Sequence, residues 1–431
     1  MKKLILLSIL SLISYSIFAD TKVMHVGTLL AEPGNPPLTE QTIVVKDGII
    51  ESILSGYIEP TAINKDATFV DLKKQFVMPG LMDMHVHLQF ELGPNNDRDA
   101  LKMSSQLIQM RSQMYAMKTL MAGFTTVRDV GSMAQEMYAL RDAINMGWVD
   151  GPRIIAAGGV GITGGHADVS GVSPELMEFS DQSNRQVCDG PFDCRRATRH
   201  AIKYGADLIK ITSTGGVLTD RETGTGQQME MDELKEVVLA AKRMGRKVAS
   251  HAHQEDGIIA ALEAGVDSIE HGSYTGKKAI KLFKKTGAYL VPTLLAGETV
   301  VQMAKHTDNL TSAQIKKALK VGADLAGNFE KAHKAGVKVA FGTDSGVSQH
   351  GTNAQEAVLM KKTGMSEMDI LKSATVNAAD LLGMSASIGS ITVGKFADII
   401  ATDISPLENI EALLDVNFVM KGGKVFKGQS F

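Results

Sequence analysis

Eight short apolar stretches recur through the middle of this chain, and their spacing restricts its architecture more than any other feature. They are Leu81–His87, Thr125–Asp129, Arg153–Ala157, Asp207–Thr212, Lys247–His251, Ser268–His271, Tyr289–Thr293 and Val337–Thr343. Helical patterns such as Asp232–Met244 and Asp256–Ala264 lie between them. Five of these strands follow a glycine: Gly123, Gly245, Gly265, Gly287 and Gly336. Glycine at that point supplies the left-handed residue that ends a helix. Strand and helix alternating eight times predicts an α/β fold, a (β/α)8 TIM barrel with a parallel sheet inside and helices outside.

The two ends read differently. Short strand patterns at Lys22–Val26, Gln41–Lys46 and Ile49–Ile53 precede the barrel. Asp398–Thr402, Val416–Lys421 and Lys424–Phe426 follow it, with turn residues such as Asp47-Gly48 and Gly422-Gly423 between strands. Both termini therefore build one small composite β-sandwich domain, from 20–77 and 389–431, around a barrel over 78–388. Residues 1–19 carry Lys2 and Lys3, then the apolar run Leu4–Phe18, then Ala19. This is the pattern of a cleavable signal peptide, and it predicts a periplasmic or secreted protein. No later segment is apolar enough for a second span, so no membrane contact is expected of the mature form. In an oxidising compartment Cys188 and Cys194, flanking Gly190-Pro191, suit a short-loop disulfide. A formal charge of −3 and the lack of a long basic cluster give no support for nucleic-acid binding. A homo-oligomer stays open.

Chemistry in such a barrel sits at the C-terminal ends of the strands. The first strand ends in His85 and His87, two residues apart and so on one face, as two ligands of one metal require. The fifth strand ends in His251, the sixth in His271, and the eighth leads into Asp344. The fourth carries Lys210 between Ile209 and Ile211. A lysine there can be neutral, pair with a carboxylate, reach past the strand end to solvent, or react with CO₂ to form an anionic carbamate. With five ligand-type residues on the same rim, the carbamate is favoured. His200, His306, His333 and His350 lie in helical, polar or loop contexts and are given no ligand role.

The set Pro-Gly-Leu-Met-Asp-Met-His-Val-His, Thr-Thr-Val-Arg-Asp, Gly-Gly-His-Ala-Asp, Ile-Lys-Ile, Ser-His-Ala-His-Gln, Ser-Ile-Glu-His-Gly and Gly-Thr-Asp-Ser-Gly resembles the amidohydrolase superfamily. The likeness is to its exported Xaa-Pro dipeptidase and metal-dependent carboxypeptidase-like branch. It implies two divalent metal ions, usually Zn²⁺, on His85, His87, Lys210 as N6-carboxylysine, His251, His271 and Asp344. It also implies hydrolysis of the peptide bond of dipeptides or short peptides by a metal-bridging hydroxide, with Asp344 moving the proton. His253 matches the position suited to hydrogen-bond the substrate carbonyl. Arg128 and His166 are candidates for gripping a substrate carboxylate, Arg128 equally for a salt bridge to a barrel carboxylate such as Asp129. Rival readings are another amide hydrolase of the superfamily, of ochratoxin type, or an imidazolonepropionase-like cyclic amidase or deaminase. The last two typically lack the strand-four lysine. A non-catalytic barrel used for binding is the remaining alternative, and it would normally have lost ligands.

Overall fold

A computed structural model describes residues 20–183, 186–219, 224–306 and 309–428. The segment read as a signal peptide, 1–19, lies outside the described residues. No described helix is long and apolar enough to cross a membrane.

The barrel begins with seven parallel strands in sequential order. They are Leu81–Val86, Phe124–Asp129, Arg153–Ile162, Leu208–Thr212, Lys247–Ala252, Ser268–His271 and Tyr289–Val291. All five punctuating glycines adopt positive φ, between 68° and 98°. The segment read as an eighth strand, Val337–Thr343, is not a regular ladder strand. It closes the barrel through single bridges, Leu290 to Val339 on one side and Val86 to Ser345 on the other. Backbone bonds from Met84 N–H to the Phe341 carbonyl and from Asp344 N–H to the His85 carbonyl complete the seam. Asp344 has φ of 59°, a left-handed conformation that interrupts any β ladder.

Inside the strands the alternation is clear. Ile209 and Ile211 pack outward in the core shared with the helices, whereas Leu208 packs with Ala157 and Ala249 in a separate inner cluster. Lys210 shares the inward face with Leu208 and Thr212 by the two-residue period of a strand. That period, set by the isoleucines, is what delivers a lysine to the barrel interior.

Seven strands from both ends of the chain form a single further sheet. Its order runs from Lys424–Lys427 through Phe418–Lys421, Ile399–Thr402, Thr68–Pro79, Thr21–Leu29 and Leu38–Lys46 to Ile49–Ser55. The sheet curls so that its wings face each other. Ile50 N–H donates to the Lys395 carbonyl, and Ala397 N–H donates to the Gly48 carbonyl. Met24, Ile43, Val70, Ile399 and Phe418 from both wings meet in one core, which is the sandwich expected from the termini. The sequence pattern misses the longest strand, Thr68–Pro79. Its alternation breaks at Lys73-Lys74, where the pairing with Thr21–Leu29 shifts register between Val26 and Thr28. Gly27 sits there against the Lys73 carbonyl, which a Cβ would meet at 2.0 Å. Arg153 fastens this sheet to the barrel, donating to Asp398 Oδ2 at 2.5 Å and to Thr126 Oγ1 at 3.0 Å.

Cys188 and Cys194 are disulfide-bonded. The bond ties a two-residue strand, Val187–Cys188, paired with the end of Arg153–Ile162, to the helix Gly190–Lys203.

Candidate active site

At the C-terminal rim of the barrel lies a cavity of about 410 Å³. His85, His87, His166, Lys210, His251, His253, His271 and Asp344 all line it. Their imidazoles are contiguous. From His87 through His85, His271 and His251 to His166, neighbouring ring centroids are 4.3 to 5.3 Å apart.

Each ring is oriented by a partner on its far nitrogen. His85 Nδ1 lies 2.9 Å from Glu270 Oε2, and His87 Nδ1 lies 2.9 Å from the Gly131 carbonyl. His271 Nδ1 is 2.7 Å from Thr293 Oγ1. These contacts leave Nε2 of all three rings for the centre. In His251 the pairing is reversed, with Nε2 facing the Gly215 carbonyl at 3.3 Å. Such outer partners fix tautomer and ring direction in metal-ligating histidines. Gly131 also lets His87 in, since a Cβ there would stand 2.5 Å from His87 Cε1. Gly131→Ala should therefore displace His87 and lower metal affinity about 10- to 100-fold, read by competition with a chromophoric chelator.

Asp344 Oδ1 is buried 2.9 Å from His87 Nε2 and 3.5 Å from His85 Nε2, with no well-directed hydrogen bond. Donor atoms of His85, His271 and Asp344 lie within 4.8 Å of one another. Oxygen and nitrogen donors of this kind converging on one point fit a divalent cation. Burial pushes His85 down to about 4 and His251 and His271 well below the usual histidine value. Neutral imidazole is the ligand form. Burial opposes ionisation of Asp344, yet the adjoining His85 and His87 hold its carboxyl below the ordinary range.

Lys210 makes no hydrogen bond or ion pair with any described residue. Burial pushes its ammonium down to about 8, so far more of it is neutral amine near neutrality than for an ordinary lysine.

The backbone is strained at the rim. His271, Thr293 and Asp344, at or just beyond the ends of the sixth and seventh strands and in the closing segment, have φ of 69°, 50° and 59°. Such residues persist only where surrounding structure over-determines them, and they concentrate at functional sites. Part of that determination comes from Asp83, which the sequence reading passed over. Asp83 accepts from His85 N–H, Thr343 N–H and Oγ1, and Asn353 Nδ2, tying the first strand to the closing segment.

The expectation that Arg128 grips substrate is corrected. Arg128 does not line the cavity. It lies within the barrel, donating through Nη2 to Glu270 Oε1 at 2.7 Å, through Nη1 to Ser268 Oγ, and through Nε to the Met84 carbonyl. Its carboxylate partner is Glu270, not Asp129. Asp129 instead accepts from Leu88 N–H and Ser132 Oγ. His166 does reach the cavity, with Nδ1 against Thr219 Oγ1. Burial lowers it to about 4, so it is neutral and offers a carboxylate a hydrogen bond rather than a charge. His350 packs on Tyr115 outside the cavity lining.

A barrel with this rim defines a class, the metal-dependent hydrolases. Residues 76–426 match the Amidohydrolase family, and the chain belongs to it. Ochratoxinase from Aspergillus niger is 30% identical over 428 residues, covering 95% of this chain and 87% of that protein. The crystal structure of a Xaa-Pro dipeptidase with bound methionine in the active site aligns with TM-score 0.89 and 39% identity, covering 95% of this chain and 100% of that one. A prolidase complexed with N-methylphosphonate-L-proline aligns with TM-score 0.83 and 28% identity, over 95% of this chain and 100% of the other.

Proposed function

We propose that this amidohydrolase is a dipeptidase or carboxypeptidase, cleaving the peptide bond of dipeptides or short peptides. The observation that carries the reading is the convergence of four histidines, Lys210 and Asp344 on one cavity, with His253 beside them. The likeness to a Xaa-Pro dipeptidase at 39% identity supports the peptide substrate.

His85, His87, His251, His271 and Asp344 would hold two divalent cations, zinc by donor type, with Lys210 completing the set once its amine has bonded to CO₂ and lost a proton. The cations would lower the pKa of a water and polarise a carbonyl. The chain's own residues do the rest. Asp344, ionised and beside the reacting centre, accepts a proton from the attacking water as the C–O bond forms. It returns that proton to the nitrogen as the C–N bond breaks. His253 has Nδ1 held by Ser273 Oγ at 2.7 Å and is kept neutral by burial, at about 3. Its Nε2–H is then a fixed donor for the carbonyl oxygen as negative charge develops there.

A dipeptide panel that includes Xaa-Pro members, offered to zinc-loaded, chelated and reconstituted protein, tests this. Release of a free C-terminal amino acid, lost on chelation and regained with metal, is the expected result. If metal-replete protein cleaves no dipeptide, the reading falls. If it cleaves only N-acylated amino acids, an ochratoxinase-like amidase replaces it, a reading favoured by 30% identity across nearly the whole chain.

The leader suggests export to the periplasm or beyond, with cleavage after Ala19. Intact-mass measurement of the mature protein should show residue 20 at the N-terminus; retention of Met1 would exclude it.

A further inference from the structure

The cavity has two unlike halves. Titratable donors occupy the barrel rim, while the opposite wall comes from two helices that follow the seventh strand, Leu294–His306 and Ser312–Lys334. Ala296, Val300, Ala318, Val321 and Leu325 face the cavity from these helices, with Leu218 from a loop. Among the described lining residues, Lys210 and Asp344 are the only lysine, arginine, aspartate or glutamate, and both belong to the rim.

This wall is built to stay in place. The helices approach closely at two glycines: a Cβ on Gly297 would meet Leu325 Cδ2 at 2.5 Å, and one on Gly322 would meet Val301 Cγ2 at 2.2 Å. Glu356 accepts from Leu294 N–H at 2.9 Å and Leu295 N–H at 2.7 Å, pinning the start of the first helix. Thr293, one residue earlier, holds His271. The wall is thereby indexed to a donor of the rim. Gln314 Nε2 donates to the Leu218 carbonyl, and Lys317 Nζ donates to the Gly216 and Thr219 carbonyls. Gln314 and Lys317 thus direct these polar groups to the loop.

We infer that this helix pair forms a preorganised side-chain pocket that selects amides bearing a bulky, uncharged aliphatic or aromatic group beside the scissile bond. The inference refines the amide-hydrolase reading and rests on it. Burial of apolar surface rewards a large side chain, while a charged one would be desolvated with no charged partner among the described residues of these two helices that line the cavity. Ala318 and Ala296 are the smallest side chains that these helices turn to the cavity apart from the glycines, so enlarging either one takes space from it.

Two paired libraries test this, one varying the residue before the scissile bond and one the residue after it, each with Gly, Ala, Leu, Phe, Asp and Lys. On at least one library the wild type should prefer Leu or Phe over Gly, Asp and Lys by about 10- to 100-fold in kcat/KM. Ala318→Trp should cut the Phe-to-Gly ratio at least about tenfold, as should Ala296→Phe, a second site in case the first is misfolded. A ratio is unaffected by the fraction of inactive protein. Flat profiles on both libraries, or ratios unmoved in both variants, overturn the pocket. If no amide is hydrolysed, the activity reading fails by itself, and calorimetry of N-acetyl-L-leucinamide against N-acetylglycinamide on the metal-loaded protein still decides. Tighter binding of the leucine compound, weakened by Ala318→Trp, supports the pocket; equal binding overturns it.

Discussion

Lys210→Met should leave the fold intact and remove more than about 99% of the hydrolytic activity together with part of the metal. The fold survives because methionine fills a similar volume on an apolar strand, and because Lys210 pairs with no described residue in the native state. Losing an outer partner of a ligand already costs about 10- to 100-fold, and if Lys210 supplies an anionic ligand between two cations, its removal should exceed that, since it would leave the two charges facing each other. Lys210→Ala opens a space that acetate or propionate can enter, and partial return of turnover with such an acid would identify the missing group as a carboxylate. Protein equilibrated with ¹³C-bicarbonate should show a carbamate carbonyl resonance that Lys210→Met lacks. A Lys210→Met protein with full metal content and wild-type peptidase rate would end the carbamate assignment.

Arg128→Met should be the most destabilising single change inside the barrel, by about 3–5 kcal/mol, because it leaves Glu270 buried without its guanidinium. The pair is closed to solvent on both sides. Burial alone would raise the Glu270 pKa; Arg128 and His85 overcome it and hold the carboxyl at about 2 against an ordinary 4.5. A depressed acid pKa contributes stability that is complete above about 4.5 and is lost as pH falls through about 2. In Arg128→Met the pKa rises, so that contribution should already be missing at pH 7. Urea unfolding at pH 7 reads the difference. The double variant Arg128→Met/Glu270→Gln should lose less than the two single losses combined, since no uncompensated charge remains. Additive losses would mean that the two side chains act independently.

Arg128 also shows where sequence reading reaches its limit. The candidate metal donors were legible because strand periodicity and the rule that barrel chemistry sits at strand ends place His85, His87, His251 and His271 without any knowledge of neighbours. An arginine at a strand end has no such rule. Its target depends on which side chain of another strand faces it, and Glu270 stands 142 positions further along. Asp129, the adjacent carboxylate, is excluded as a partner simply because neighbouring residues on a strand point to opposite faces. The closing segment Val337–Thr343 was overread for a related reason. Apolar β-branched content signals extended chain, but the left-handed turn at Asp344 comes from the demands of the rim and leaves no trace in composition. The apolar wall was unreadable because it needs two helices to be brought face to face by glycines whose roles appear only in contact.

The sheet drawn from both ends of the chain bears on the order in which the molecule can be completed. Thr68–Pro79 is flanked by Thr21–Leu29 and by Ile399–Thr402, so one of its two edges waits for roughly three hundred residues of barrel to be made. Until then that edge shows unpaired backbone donors and acceptors, the kind of surface that recruits strands from other chains. A ribosome pausing late, or a chain clipped near Ile399, would yield a protein whose active centre is fully encoded but whose sheet is open. Completion of the sheet therefore depends on the strands from Ile399 onward, which follow in the chain every residue assigned to the candidate site.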